Sequence, residues 1–307
     1  MRVVVLGAAA GGGVPQWNCN CEICRAARGS QPELQATQAS IAISADGEHW
    51  FLVNASPDLR QQVIATPQLH PKAGHLRHSP IAGVILTNGE VDAIAGLLSL
   101  REGWPFTIYA HQRVLSVLKS NSIFNVLDEE RVRRQPIAFD TAFEPVLADG
   151  RPSGLEILPF AAPGKRAWYL ESAPHPDGDA SGDTLGLRIA DKRSGEHIYF
   201  LAACAALTPD LRQRLQGAPL IFFDGTLWRD DELIAAGLGA KTGQRMGHMA
   251  MSGDDGAIAA FADLGIARKI FLHINNSNPV LFPDSMERKA AESSGWQIPS
   301  DSMEITI

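Results

Sequence analysis

The hydrophobic positions fall into short runs that stop abruptly at glycine or polar residues. Val3–Leu6 is β-branched and apolar, and Gly7, Gly11, Gly12, Gly13 and Pro15 follow it, so a buried strand runs into a tight loop that no helix can continue. Ser40–Ser44 and Trp50–Val53 flank Ala45-Asp46-Gly47, a hairpin turn signal. Ile81–Thr87 reads as another buried strand, Asp92 to Arg101 carries apolar residues at helical spacing, and Phe106–Tyr109 begins the next strand. From Arg131 to Gly195 short strand-like pieces such as Leu155–Phe160 and Leu185–Ile189 alternate with Pro and Gly, with a long loop across Glu171–Asp183. Regular alternation then resumes: His197–Leu201 and Leu220–Phe223 as strands, Asp254–Leu264 as an amphipathic helix, Lys269–Ile274 as a last core strand. Two halves that each mix strands with helices fit an α/β (α+β) sandwich with its sheets inside and its helices outside.

Length and charge narrow this picture. The 307 residues, with 45% hydrophobic and 20% charged, suit a chain that buries a full core, and they are read as one domain over 1–307. A net charge of −7 supplies no basic field for a phosphate backbone, which argues against nucleic acid and for a small-molecule partner. No apolar run approaches the ~20 residues of a membrane span, and the apolar core Val3–Leu6 is short for a secretory signal, so a cytoplasmic location is expected. A homodimer is left open.

Three of the four cysteines lie within six residues, Cys19-x-Cys21-x-x-Cys24, in the hydrophilic stretch NCNCEIC. Thiolates at this spacing can share one tetrahedral Zn²⁺, and a closed sulfur-rich site is structural because it leaves no place for water or substrate. A fourth ligand would complete it, with His273 and Asn276 as rivals. Free thiols or a redox pair are the plainer alternative. Cys204, inside FLAACAAL, reads as a core thiol. The glycine loop fits neither a dinucleotide fingerprint nor a P-loop, and Pro15 blocks the helix that would hold a phosphate, so the glycines are expected to let the backbone pass close under a site or under the zinc loop.

Four apolar strands end in polar residues: Asn54-Ala-Ser56-Pro-Asp58, Thr87-Asn88-Gly89-Glu90-Val91-Asp92, Asp224-Gly-Thr226 and His273-Ile-Asn275-Asn276. Polar groups converging at strand ends are how open α/β folds build sites. Each group also has a plainer role: Asp92 as a helix N-cap, Asp224-Gly as a strand-ending turn, His248 as a satisfied supporting histidine. Lys165 in a Pro-Gly loop is a candidate for a substrate carboxylate or simply solvated, and His70, His75, His78 and His175 read as surface residues.

The order of elements resembles the metallo-β-lactamase superfamily, whose T-H-x-H-x-D-H signature follows a strand. The strings VVVLGAAAGGGVPQWNCNCEIC, LVNASPDLR, GVILTNGEVDAIAGLLSLREG, FFDGTLW, MGHMAMSG and FLHINNSNP resemble, across essentially the whole chain, that superfamily's PqqB family of pyrroloquinoline quinone (PQQ) biosynthesis proteins. The resemblance implies a four-layer αββα sandwich. Against the superfamily signature, Asn88 and Glu90 stand where the leading histidines would be, Asp92 is kept, and Ala93 replaces the final histidine. The ordinary dinuclear zinc site is therefore broken, because Asn is a poor ligand and Ala none. Asp92, Asp224, His248 and His273 remain, a set suited to a more open mononuclear site such as that of non-haem Fe²⁺.

What the resemblance implies is a place in PQQ biosynthesis, with iron-dependent hydroxylation of the tyrosine ring of the peptide-derived precursor as the leading reading. In that reading Asp92 and His248 are catalytic, and Asn88, Glu90 and Lys165 face bound PQQ or its tyrosine/glutamate-derived precursor. The alternatives are a carrier or transport protein for PQQ without chemistry and, last because of the lost histidines, a metallo-hydrolase.

Overall fold

The computed structural model describes residues 1–171 and 182–307, so His175 and most of the predicted Glu171–Asp183 loop lie outside the described residues. Thirteen strands are described: β1 (Arg2–Gly7), β2 (Ser40–Ser44), β3 (Trp50–Val53), β4 (Ile81–Leu86), β5 (Phe106–His111), β6 (Val132–Ile137), β7 (Leu155–Ala161), β8 (Leu185–Asp191), β9 (His197–Leu201), β10 (Leu220–Asp224), β11 (Arg268–Leu272), β12 (Trp296–Gln297) and β13 (Glu304–Thr306). They form two sheets, in the orders β13-β1-β2-β3-β4-β5-β6 and β12-β11-β10-β9-β8-β7.

Period-two alternation explains how the sheets stack. In β2, Ile41 and Ile43 point into the layer between the sheets, where they join Phe51, Ile157, Leu187, Phe200, Phe222 and Ile270. Ala42, on the opposite face, packs with Leu52, Val84 and the helical residues Leu59, Leu97 and Leu118. In the second sheet Ile221 and Phe223 face outward onto Leu211, Phe261 and Trp296. Each central strand is buried on both faces, which is why these strands read as unbroken apolar runs. The result is helix, sheet, sheet, helix, as the sequence leads one to expect.

Strands β3 to β6 run parallel, as do β9 to β12, so their C-terminal ends gather on one rim of the sandwich. Two predicted helices are shorter than their apolar spacing suggests. Asp92–Arg101 becomes an α-turn at Val91–Ile94 followed by a 3₁₀ segment at Ala95–Leu100. The cause lies at Gly96, whose N–H donates to Ala55 O at 2.8 Å and whose backbone lies so close that an added Cβ would sit 2.0 Å from Ser56 O. Within Asp254–Leu264 only Ala257–Ala260 is α-helical. There the left-handed Gly253 and the tight turn at Gly256 delay the start, and Phe261 ends the helix by docking on Phe223.

A candidate metal centre at the strand ends

Two clusters of ligating side chains stand out among the described residues, one of Cys19, Cys21 and Cys24 and one of Asp224, His248 and His273. Both are organised by the segment that leaves β11. His273 takes a left-handed backbone conformation at φ 61°, uncommon for a residue with a Cβ, and this turns its ring off the strand axis into the rim. Ile274 then exchanges backbone hydrogen bonds with the glycine loop, Ala10 N–H to Ile274 O at 2.8 Å and Ile274 N–H to Ala8 O at 2.9 Å. Asn276, two residues on, reaches the cysteines.

That placement separates the two rivals for a fourth ligand. The amide nitrogen of Asn276 lies 3.1, 3.7 and 3.3 Å from the sulfurs of Cys19, Cys21 and Cys24, so the amide caps all three thiols at once. His273 stands in the other cluster and does not serve the cysteines, a correction of the alternative that paired it with them. Burial pushes the Cys24 thiol up to about 11. At Cys19 burial also raises the pKa, but hydrogen bonds from Cys21, Cys24 and Asn276 outweigh it and draw the thiol below its ordinary value. Three soft donors with ligand atoms within 4.8 Å of one another fit a zinc site. Behind them Ile23 and Ala27 pack with Val14 and Leu34, so the cluster pins the loop that follows β1.

At the second cluster, Asp224 ends β10 with its side chain fully buried. Its Oδ2 accepts from Cys204 N–H at 2.9 Å and from His248 Nδ1–H at 2.6 Å, while Oδ1 accepts from Thr226 N–H at 3.0 Å and from the Thr226 hydroxyl at 2.7 Å. Asp224 thus closes the strand-ending turn and also orients a histidine. Thr226 Oγ1 in turn lies 2.8 Å from His273 Nδ1 and 3.1 Å from His248 Nδ1. Because its one proton goes to Asp224, the hydroxyl must accept from the imidazoles, so each ring carries a proton on Nδ1, and His273, whose Nε2 meets the Asp92 carboxylate, carries one on Nε2 as well. The two rings stack with centroids 5.1 Å apart.

Asp92 does not cap its helix; Glu90 occupies the N-cap position, with no side-chain capping bond. The Asp92 carboxylate instead reaches across to His273, with Oδ2 2.8 Å from Nε2. Burial raises the Asp92 pKa, but the bond and charge of His273 outweigh this and leave it below the ordinary carboxylate value. Burial alone would lower His273; Asp92, then Asp224 and Glu90, raise it overall. Ala93, where the superfamily signature has its last histidine, is buried against the core of the first sheet, with its carbonyl accepting from Ala55 N–H at 2.7 Å.

Asp92, Thr226, His248 and His273 line a cavity of about 530 Å³ together with Gly11, Gly12, Asn88, Glu90, Lys165, Trp168, Leu233, Lys241 and Met246, and Asp224 is buried behind them. The glycine loop does pass under the site: a Cβ on Gly11 would lie 3.4 Å from Asp92 Oδ2. Asn88 turns its side chain back to accept from Glu90 N–H at 3.0 Å. Glu90 is half-buried, which raises its pKa despite the pull of Lys165, and it accepts from Trp168 N–H at 3.0 Å. Lys165 is no freely solvated lysine, since its Nζ lies 3.3 Å from Glu90 and 2.8 Å from Glu171. Cys204 is a core thiol, pushed up to about 12 by burial and by Asp224. His70 and His75 are exposed, His78 partly so. Two site residues escape a reading of the sequence, and a third, Thr226, was read only as part of a strand end. Thr226 had a signal in the Asp-x-Thr that ends a strand, whereas Trp168, in the short 3₁₀ turn Trp168–Leu170, and Lys241, in a loop, had none.

The chain matches the family model described as a beta-lactamase superfamily domain over residues 49–274. Coenzyme PQQ synthesis protein B of Rhodopseudomonas palustris strain BisB5 is 70% identical over 308 residues, covering 100% of both chains. The protein of that name from Gluconacetobacter diazotrophicus is 56% identical over 99% of each. Among solved structures, Zn(2+)-bound PqqB from Methylobacterium extorquens superposes with a TM-score of 0.93 at 48% identity, covering 100% of both chains. A diphosphatase of the PhnP family, at 18% identity and a TM-score of 0.69 over 100% of this chain and 97% of its own, shares the fold. The residue strings, the two-sheet architecture and these full-length likenesses agree, and the chain belongs to the coenzyme PQQ synthesis protein B family of the beta-lactamase superfamily.

Proposed function

We propose that the chain works in PQQ biosynthesis as an iron-dependent hydroxylase of the tyrosine ring of the peptide-derived precursor, with the cysteine cluster holding a structural zinc. The observation that carries this reading is the convergence of two imidazoles and the Asp92 carboxylate on one open cavity, with a second carboxylate, Asp224, buried directly behind them. Asp224, His248 and His273 offer ligand atoms within 4.8 Å of one another, and Asp92 lies against His273. Imidazole with carboxylate suits Fe²⁺ as well as Zn²⁺, and the proton shared by Asp92 and His273 marks a place where a cation would be equally well neutralised. Asp92, Asp224 and His273 are the residues proposed to hold the metal. When bound, iron would supply activation of O₂, one oxygen atom entering an aromatic C–H bond and the other leaving as water with two electrons from an external reductant.

The chain's own residues have separate work. His248, oriented through Nδ1 by Asp224 and Thr226, presents Nε2 as a base for the phenol proton. Trp168, Leu233 and Met246 supply apolar wall for an aromatic ring, and Asn88, Glu90 and Lys165 line the approach. For the cysteine site, the Zn(2+)-bound relative from Methylobacterium extorquens supports zinc, and Asn276 is proposed as its fourth donor: a half-turn of the amide presents Oδ1 in place of Nδ2.

The test is anaerobic reconstitution of the purified chain with Fe²⁺, then metal analysis and O₂ uptake with a tyrosine-containing precursor peptide, beside an Asp92→Ala/His273→Ala variant. Expected are iron beyond one zinc per chain and a hydroxylated product that the variant does not form. One zinc per chain and no product at any iron level would overturn the reading and leave a carrier of PQQ in its place.

A further inference from the structure

The cavity mouth holds a charge arrangement that the hydroxylase reading does not use. Glu171, at the end of the Trp168–Leu170 turn, extends one carboxylate between two lysines from distant parts of the chain. Its Oε1 lies 2.8 Å from Lys165 Nζ and its Oε2 3.3 Å from Lys241 Nζ. Both lysines line the cavity that holds Asp92, His248 and His273, whereas Glu171 is not part of its wall. Glu90 forms the far end of the chain of charges, 3.3 Å from Lys165.

From these contacts we infer that Lys165 and Lys241 form a carboxylate subsite at the cavity mouth, and that Glu171 is its resident occupant, displaced when an acidic ligand binds. Two ammonium groups bridged by separate oxygens of one carboxylate make a fork that any other carboxylate can fill with the same contacts. The exchange conserves charge: one carboxylate leaves the lysine pair as another arrives, and Glu90 continues to hold Lys165. Displacement costs little, because the Glu171 side chain is 40% exposed and needs only to swing further into water. The half-buried Lys165, at 25% exposure, stays on the wall through Glu90. The backbone bond from Trp168 N–H to Glu90 and that from the Tyr169 hydroxyl to Gly89 O, at 2.5 Å, hold the turn against the cavity rim independently of Glu171. Glu171 therefore acts as an internal competitor. The identification of the ligand as the acidic, glutamate-derived part of the precursor rests on the function proposed above; the lysine fork itself does not.

Glutarate, which carries the acidic arm without a tyrosine, separates the two claims. Thermal denaturation of the full chain with millimolar glutarate is compared for the wild type, Glu171→Gln and Lys241→Met, with glutaramide as the uncharged control. In parallel, a Glu-Tyr peptide and its Gln-Tyr counterpart, both amidated at the C-terminus so that the glutamate side chain is the one carboxylate between them, are titrated calorimetrically against the same three proteins. The expected result is that Glu171→Gln binds glutarate and Glu-Tyr about tenfold more tightly than the wild type, and that Lys241→Met loses about tenfold. Neither substitution should move the Gln-Tyr affinity. Glutarate that stabilises all three proteins alike, or a Glu171→Gln variant with unchanged or weaker binding, overturns the subsite. Discrimination with glutarate but no binding of either peptide would keep the subsite and refute the precursor as its ligand. A Lys165→Met variant that also loses glutarate binding guards against a Lys241 effect on local folding.

Discussion

Replacing Thr226 with valine removes a single hydroxyl from the centre of the proposed metal site and keeps the side chain's shape. The threonine is 4% exposed, so the second methyl of valine fills the same buried volume and water does not enter in its place. The loss is unequal among its partners. Asp224 keeps the N–H groups of Cys204 and Thr226 and the ring of His248. His273 Nδ1, by contrast, is left facing a methyl group, and the Asp92 carboxylate then favours the proton on Nε2, the nitrogen a metal would need. One buried donor without an acceptor, beside a carboxylate short of one bond, corresponds to about 2 kcal/mol of stability. Loss of an outer partner to a ligating histidine typically lowers metal affinity by roughly 10–100-fold. Urea denaturation reads the first quantity, and competition of Fe²⁺ or Zn²⁺ against a chromogenic chelator reads the second, with Thr226→Ser expected to restore both. The cysteine-bound metal should remain, since no contact links Thr226 to the sulfurs. Unchanged affinity at the histidine site, or simultaneous loss from both sites, would refute the argument that this hydroxyl sets the tautomer of His273.

Further outcomes follow from the same contacts. Cys21→Ser should lower the bound zinc by one ion per chain, measured by elemental analysis, and raise proteolysis in the loop between β1 and β2 while leaving the far edge of each sheet protected. At the β2–β3 turn, burial raises the pKa of Asp46 but hydrogen bonds from His49 and Glu48 overcome this and hold it down to about 2, against 3.8 when unfolded. The stability that the ionised carboxylate adds is therefore present above pH 3.8 and disappears as the pH falls through about 2, so Asp46→Asn should lower the urea midpoint at pH 7 and flatten its dependence on pH below 4. Gly96→Ala drives a Cβ to within 2.0 Å of the backbone oxygen of Ser56, a contact that no rotamer relieves; a loss of at least ~2 kcal/mol is expected in denaturant titrations, and a neutral result would mean that the Val91–Leu100 segment can lift off the loop that follows β3.

Much of the fold was legible because its central strands are buried on both faces. Val3–Leu6, Ile81–Leu86 and Leu220–Phe223 have no polar face to confuse the period, and all lie in described strands. Helices were harder. Apolar spacing shows which face is inward but not how closely a backbone can approach, and it was the contact at Gly96 that tightened Asp92–Arg101 into a 3₁₀ segment. The strand-end polar residues and the cysteine cluster were legible for the same reason, since each follows an apolar run or breaks with its surroundings. The choice between His273 and Asn276 was not, because it turns on the left-handed φ of His273, which sends neighbouring side chains of one short segment to different sites. Lys241 and Trp168 belong to no motif and meet the cavity only through tertiary packing, so no local pattern marks them.

Whether the strand-end cluster performs oxygen chemistry on a phenol is tested most directly by a turnover of the iron-loaded chain with precursor peptide under ¹⁸O₂. The expected product has gained one labelled oxygen on the tyrosine ring and is formed by the wild type and not by Asp92→Ala/His273→Ala. Product carrying oxygen from water, or none from an iron-loaded protein that still binds the peptide, would contradict that chemistry.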